Sequence, residues 1–239
     1  MWLMKIVYKS VLMHPKVTIS RFYLILLISV LATTIVKAQE NDFQIWGDLS
    51  AKYKINKKIK LNASIGLRSY ENSQLIKKYY ADFGVKYVIS KRISLGAKYR
   101  FSDYHFHSKV STHRMSFDAT YSFKKWGRTR LSIRERYDYE WLVVNPVNVG
   151  DDMTLRSRIT LTYDIRKCKI EPYVSIEHYL GLNGYLSGET KLLRWTMGAQ
   201  MPITKWSDLQ VSYRIQKQVY TNNPTIAYVF MVSYMVDIN

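Results

Sequence analysis

Two groups of side chains in this sequence have types and spacings that could do chemistry. The first is a histidine cluster, His105, His107 and His113, interleaved with Ser102, Asp103, Ser108 and Ser111. An imidazole beside a hydroxyl can take its proton and make a nucleophile, and histidines at alternate strand positions share a face on which a metal could be held. The plainer reading is a polar surface loop: no His and Ser stand together in the pattern of a barrel phospholipase. His178 is separate from these, on the apolar side of its segment beside Leu180, where a lipid-directed role is the alternative to an interfacial one.

The second group is larger. Arg68, Lys86, Lys98, Arg100, Arg134, Arg136, Arg156, Arg158, Arg194 and Arg214 fall on the polar side of alternating segments, together with Asp48, Asp82, Asp118, Asp138, Glu140, Asp164, Glu171 and Glu177. Such a set either pairs across strands and fills an interior, or leaves an excess of guanidinium groups that favours anions along a path. No residue is assigned a catalytic role, and no metal or cofactor is expected. The single cysteine, Cys168, excludes an intramolecular disulfide framework and a cysteine-cluster metal site.

The elements that must position these groups follow from the pattern. Of 239 residues, 47% are apolar, 14% aromatic and 23% charged, with 36 Lys plus Arg against 18 Asp plus Glu. A formal charge of +18 would by itself suggest nucleic acid or an anionic membrane. Part of it belongs to a targeting segment. Phe22 to Val36 has no charge, follows Lys16 and Arg21, and leads into Val36-Lys37-Ala38, which are the parts of a secretory signal peptide cut after Ala38. An uncleaved anchor is disfavoured because a spanning helix needs about 20 apolar residues. Loss of residues 1–38 removes Lys5, Lys9, Lys16, Arg21 and Lys37 and no acid, so +18 becomes +13. Met13 is an alternative natural start.

Downstream the dominant period is two. Ile59, Leu61, Ala63, Ile65 and Leu67 alternate with Lys60, Asn62, Ser64, Gly66 and Arg68. Ile93, Leu95, Ala97, Tyr99 and Phe101 alternate with Ser94, Gly96, Lys98, Arg100 and Ser102. Eleven such segments are read, longer than the ~5–6 residues of an ordinary globular strand and close to the length that spans a membrane when tilted. Basic turns centred on Lys57, Lys91, Lys125, Lys167 and Lys205 recur after 34, 34, 42 and 38 residues. Longer loops are expected between them at 71–76, 103–111, 142–152 and 181–190. Short turns on one side and longer loops on the other thread an antiparallel up-and-down transmembrane β-barrel of 10–12 strands. A soluble all-β sandwich that binds polyanions is the alternative. Tyr53, Tyr79, Tyr87, Tyr121, Tyr139, Trp141, Tyr163 and Tyr213 near strand ends favour the membrane, as interfacial girdles.

Two features do not fit a simple barrel. Eleven strands is an odd number, which points to a split or missed strand or to an irregular segment at Phe43 to Ile55. Glu135 sits mid-strand on the apolar face among Leu131, Ile133, Tyr137 and Tyr139. A register-flipping bulge would explain it, as would a seam covered by another protein surface.

The opening QENDFQIWGDLSAKYKINKKIKL, then IGLRSY, KYRFSDY and LRSRITLTYD, resembles the outer-membrane proteins grouped as domain of unknown function 2490, over residues 39–239. The resemblance implies a Gram-negative outer-membrane barrel and carries over no substrate and no catalytic residue. The expected function is a non-enzymatic barrel in the cell outer membrane, structural or with a narrow path for small solutes or anions. A surface lipid- or peptide-directed barrel enzyme is the other class. Outer-membrane lipids and, during insertion, barrel-assembly machinery are the expected partners; nucleic acid is not.

Overall fold

The computed structural model describes residues 41–105, 110–144, 147–220 and 224–238. The signal segment 1–38 and His107 lie outside the described residues. Eleven strands follow in chain order: β1 (Asn41–Lys54), β2 (Ile59–Tyr70), β3 (Leu75–Val88), β4 (Ile93–Tyr104), β5 (Val110–Ser122), β6 (Thr129–Val144), β7 (Val147–Tyr163), β8 (Glu171–Gly181), β9 (Thr190–Pro202), β10 (Ser207–Gln218) and β11 (Ile226–Ile238). Each pairs antiparallel with the next, and β1 pairs with β11, closing a single barrel. The sheet has no second layer, so the sandwich alternative is overturned.

Closure explains the odd strand number. In a meander of eleven strands the first and last run the same way, and β1 and β11 pair parallel, from Asn41 opposite Ile226 to Tyr53 opposite Ile238. Among the described residues no strand is split or missed, and β1 is a regular barrel strand.

The barrel is inside out relative to a water-soluble fold. Phe83, Ile65 and Met197 are 68%, 60% and 60% exposed on its outer wall, whereas Glu177, Asp82 and Asp138 are 1%, 4% and 4% exposed inside it. Alternation puts each strand's apolar side chains outward and its polar ones inward. An outer wall of this kind is stable only against an apolar medium, and closure leaves no sheet edge unpaired there.

Connection length does not separate the two rims as expected. One rim holds 55–58, 89–92, 123–128, 164–170 and 203–206; the other holds 71–74 and 182–189, with the described residues His105, Val219, Tyr220, Pro224 and Thr225 of the connections after β4 and β10. The expected 142–152 loop is mostly strand, because β6 and β7 continue to Val144 and from Val147. Charge separates the rims instead. The first carries Lys57, Lys58, Lys91, Arg92, Lys124, Lys125, Arg128, Arg166, Lys167, Lys169 and Lys205 against the single acid Asp164. The Lys125 ammonium, hydrogen-bonded at 2.6 Å, holds the Asp164 carboxyl below its usual range. Among the described residues of the second rim the formal charges are Glu71 and Glu189.

Candidate functional site

The lumen is where the structure gathers polar side chains. Register decides which of them meet. Arg134 and Arg158 are opposite on β6 and β7, as are Arg136 and Arg156; Arg158 is opposite Glu177 on β8, and Glu177 is opposite Arg194 on β9. Glu177 therefore sits among four guanidinium groups, those of Arg134 (2.8 Å), Arg156 (3.0 Å), Arg158 (2.8 Å) and Arg194 (3.0 Å). The Tyr179 hydroxyl donates to the same carboxylate at 3.0 Å. Arg156 also reaches Asp138 at 2.9 Å, and Arg194 donates through Nε to Gln216 at 2.8 Å.

Other acids hold their own arginines along β3 to β6. Arg100 grips Asp82 through Nε at 2.6 Å and Nη2 at 2.7 Å, a bidentate pair, and Lys98 adds a contact at 3.1 Å. Arg136 donates to Asp118 at 2.7 Å, and Arg114 pairs with Glu140. The arginines of this arc are matched with carboxylates, whereas the buried Lys78 donates to the Tyr104 hydroxyl at 3.0 Å.

The arc beside the parallel closure differs. Trp46 of β1 points inward and packs with Val229 and Met231 of β11, all three buried. Three guanidiniums lie over its ring: Arg68 at 4.1 Å, Arg214 at 5.6 Å and Arg194 at 5.9 Å from the centroid. Arg68 and Arg214 make no salt bridge among the described residues, and the Nε of each is buried without a hydrogen-bond partner. Asp48, the acid on this arc, accepts instead from the Tyr80 hydroxyl, which passes over Gly66 to reach it. A Cβ at Gly66 would collide with both groups.

Of the charges expected on the polar side, Arg68, Asp82, Lys98, Arg100, Asp118, Arg134, Arg136, Arg156, Arg158 and Arg214 project from the inner face. Asp164 does not; it belongs to a turn on the basic rim. Trp46, Tyr80 and Tyr179 share the parity of Asp48, Asp82 and Glu177 and face inward with them.

Three cavities open beside the central layer. One of about 380 Å³ lies toward the less charged rim, between Arg114, Glu140, Asp152, Tyr179, Lys191 and Tyr220. Two of about 230 and 180 Å³ lie toward the basic rim, the larger under Arg158 and Arg214 and the smaller beside Lys98, Asp118 and Arg136. Arg156, Glu177 and Arg194 stand between the first cavity and the second.

The histidines are dispersed. His105 is in the turn after β4, edge-on to Tyr79 at 6.2 Å. His113 is a β5 residue on the outer wall, stacked on Trp141 at 5.2 Å and bonded through Nδ1 to the Tyr99 hydroxyl at 2.6 Å. The expected loop grouping of His105 with His113 is thus corrected: His113 belongs to an aromatic row of the wall. Among the described residues no group of His, Cys, Asp and Glu could hold a metal.

The bulge expected at Glu135 is absent. Register runs unbroken through it on both sides, the nearest shift lying between Leu142 and Val143. Glu135 projects from the outer wall and accepts from Ser157 at 2.6 Å. Ser157 is opposite His178, whose Nε2 meets Thr190 Oγ1 at 2.8 Å. The result is a short polar row across an apolar wall.

A family model described as protein of unknown function (DUF2490) matches residues 43–226. No curated protein sequence matches. Among solved structures the chain is similar to the NanC porin, at 12% identity and a TM-score of 0.44, over 70% of this chain and 86% of that one. It is also similar to the translocator domain of the autotransporter NalP from Neisseria meningitidis, at 12% identity and a TM-score of 0.47, over 72% and 71% of the two chains.

Proposed function

Because the chain belongs to the DUF2490 family of proteins of unknown function, we propose a role that rests on its own geometry: an outer-membrane barrel, non-enzymatic, whose lumen is closed at mid-height. The observation that carries this reading is the Glu177 layer. Its carboxylate is 1% exposed and tied to four guanidiniums drawn from three strands, so side chains fill the cross-section between the cavities. Eleven strands make a barrel between the eight-strand size that side chains fill and the 16-strand size that leaves a channel. A charged, cross-braced layer is the economical way to fill that intermediate bore.

The apolar outer wall supports an outer-membrane location, since closed barrels are the only sheet structures that meet lipid without unpaired backbone. In this reading the signal segment is cut after Ala38, the basic rim faces the periplasm, and assembly machinery inserts the strands. Anionic phospholipid headgroups are the natural neighbours of that rim.

Planar-bilayer recording tests the closed state. Purified wild-type protein should give no unitary steps, while Glu177→Ala, which leaves its arginines facing one another, should give small anion-preferring ones. Steady anion conductance in the wild type would favour the narrow anion path, the second reading that the arginine excess supports.

A further inference from the structure

The cavity of about 230 Å³ on the basic-rim side is lined chiefly by donors. Its walls include Arg158, Arg214, Thr160, Thr162, Thr196 and Gln210. Its acid, Glu171, lies toward the mouth and is taken by Arg130 at 2.8 Å. The two inner arginines are differently placed. Arg158 spends one nitrogen on Glu177 at 2.8 Å, and its Nε is buried with no acceptor. Arg214 has no salt bridge among the described residues, and its Nε is likewise buried with no acceptor. Its described partner is the face of Trp46, 5.6 Å away, a ring it shares with Arg68, which is in the same condition.

A guanidinium carries five donors in a fixed fork and cannot shed its charge. Withdrawing one from water without an acceptor is costly, and a ring face returns only part of that cost. The neutral hydroxyls and amides of the wall can accept but carry no opposing charge, and the Tyr173 hydroxyl already accepts from Gln210. Asp48 is engaged by the Tyr80 hydroxyl, and Gln216 accepts from Arg194. The unmet requirement is therefore for an acceptor that is anionic and presents oxygens in several directions, since hydroxyl and amide groups surround the cavity as well as the two forks.

We propose that this cavity, with Arg214 and Arg158 as its cationic floor, is a binding site for a small oxyanion of the phosphate class, entered from the basic rim. The volume exceeds that of the bare ion, so phosphate or a small phosphorylated solute is accommodated. The turn lysines raise the local anion concentration at the entrance. Binding is static and lies below the Glu177 layer, so it does not depend on whether the barrel conducts.

The experiment is a calorimetric titration of the folded, detergent-solubilised barrel with inorganic phosphate against sodium chloride of equal ionic strength. Wild type should bind phosphate saturably at about one per chain, and Arg214→Gln should weaken binding tenfold or more while keeping heat-modifiable migration on gels. Equal binding by wild type and R214Q, or heats that match the chloride control, would overturn the site. Should R214Q fail to fold, Thr162→Val is read in its place: at least a twofold loss supports the site and unchanged binding overturns it. Glycerol phosphate and a short-chain phosphatidic acid separate the sources. Competition by the first alone supports a soluble ligand, whereas tighter binding of the second identifies a lipid headgroup and overturns the soluble-solute assignment.

Discussion

The two arcs of the lumen solve the same problem in opposite ways. From β3 through β9 each arginine meets a carboxylate: Asp82 holds Arg100, Asp118 holds Arg136, Asp138 holds Arg156, and Glu177 serves four guanidiniums at once. Beside the parallel closure, Arg68 and Arg214 have an indole in place of a carboxylate. A matched pair loses much when one member goes, because the survivor is left charged and unpaired in a poorly solvated place. A cation without an acceptor has little to lose. The first arc is thus built to be rigid, and the second has donors left over.

That contrast can be broken or sharpened by substitution, with stability read from urea unfolding of the barrel in lipid vesicles by tryptophan fluorescence. Glu177→Ala should have the largest effect, a loss of about 3–5 kcal/mol, because it strands four arginines together. Trp46→Ala comes next, at about 3 kcal/mol, since it empties the packing against Val229 and Met231 and uncovers the cations. Gly66→Ala should cost about 1–3 kcal/mol, the cost of forcing the Tyr80 hydroxyl off Asp48. On the outer wall, Glu135→Leu should stabilise by about 1 kcal/mol in lipid and leave the oligomeric state in cross-linking unchanged; a change in assembly would reveal a seam. Arg68→Gln should be the smallest, within about 0.5 kcal/mol of wild type, because relief from burying a cation with no acceptor offsets the lost contact with the Trp46 ring. A loss for Arg68→Gln as large as that for Glu177→Ala would end the distinction between the arcs.

Much of the fold was legible because period two is a local signal. Any residue two from a known inward one is inward, so alternation assigns Arg68, Asp82, Arg158 and Arg214 to one face, and eleven segments are legible with Lys57, Lys91, Lys125, Lys167 and Lys205 between them. Parity says nothing about partners. That Glu177 faces Arg158 on one side and Arg194 on the other depends on the register of two hairpins, set by turns whose geometry no alternation encodes. The same blindness affected closure, since a parallel pairing between β1 and β11 joins segments 185 residues apart between Asn41 and Ile226. Trp46 is hidden for another reason: an aromatic ring in a barrel suggests a lipid interface, and here guanidiniums give it a place inside. Glu135 misled because a charge on an apolar face argues for a shifted register, whereas a neighbouring serine was enough to hold it where the pattern put it.

Parallel closure also fixes how this chain could be rewired. Asn41 begins β1 at the less charged rim, and Ile238 ends β11 at the basic one. In an even-stranded meander the two ends share a rim, and a few residues can join them to make a circular permutant. Here a joining segment would have to run the height of the wall, roughly 13 residues at about 3.3 Å each if extended. It would travel through the lumen or along the outer wall with its backbone unpaired. New ends can be opened at any hairpin, but the old ones cannot be sealed without adding a twelfth strand, which would have to part the β1–β11 pairing to enter the sheet.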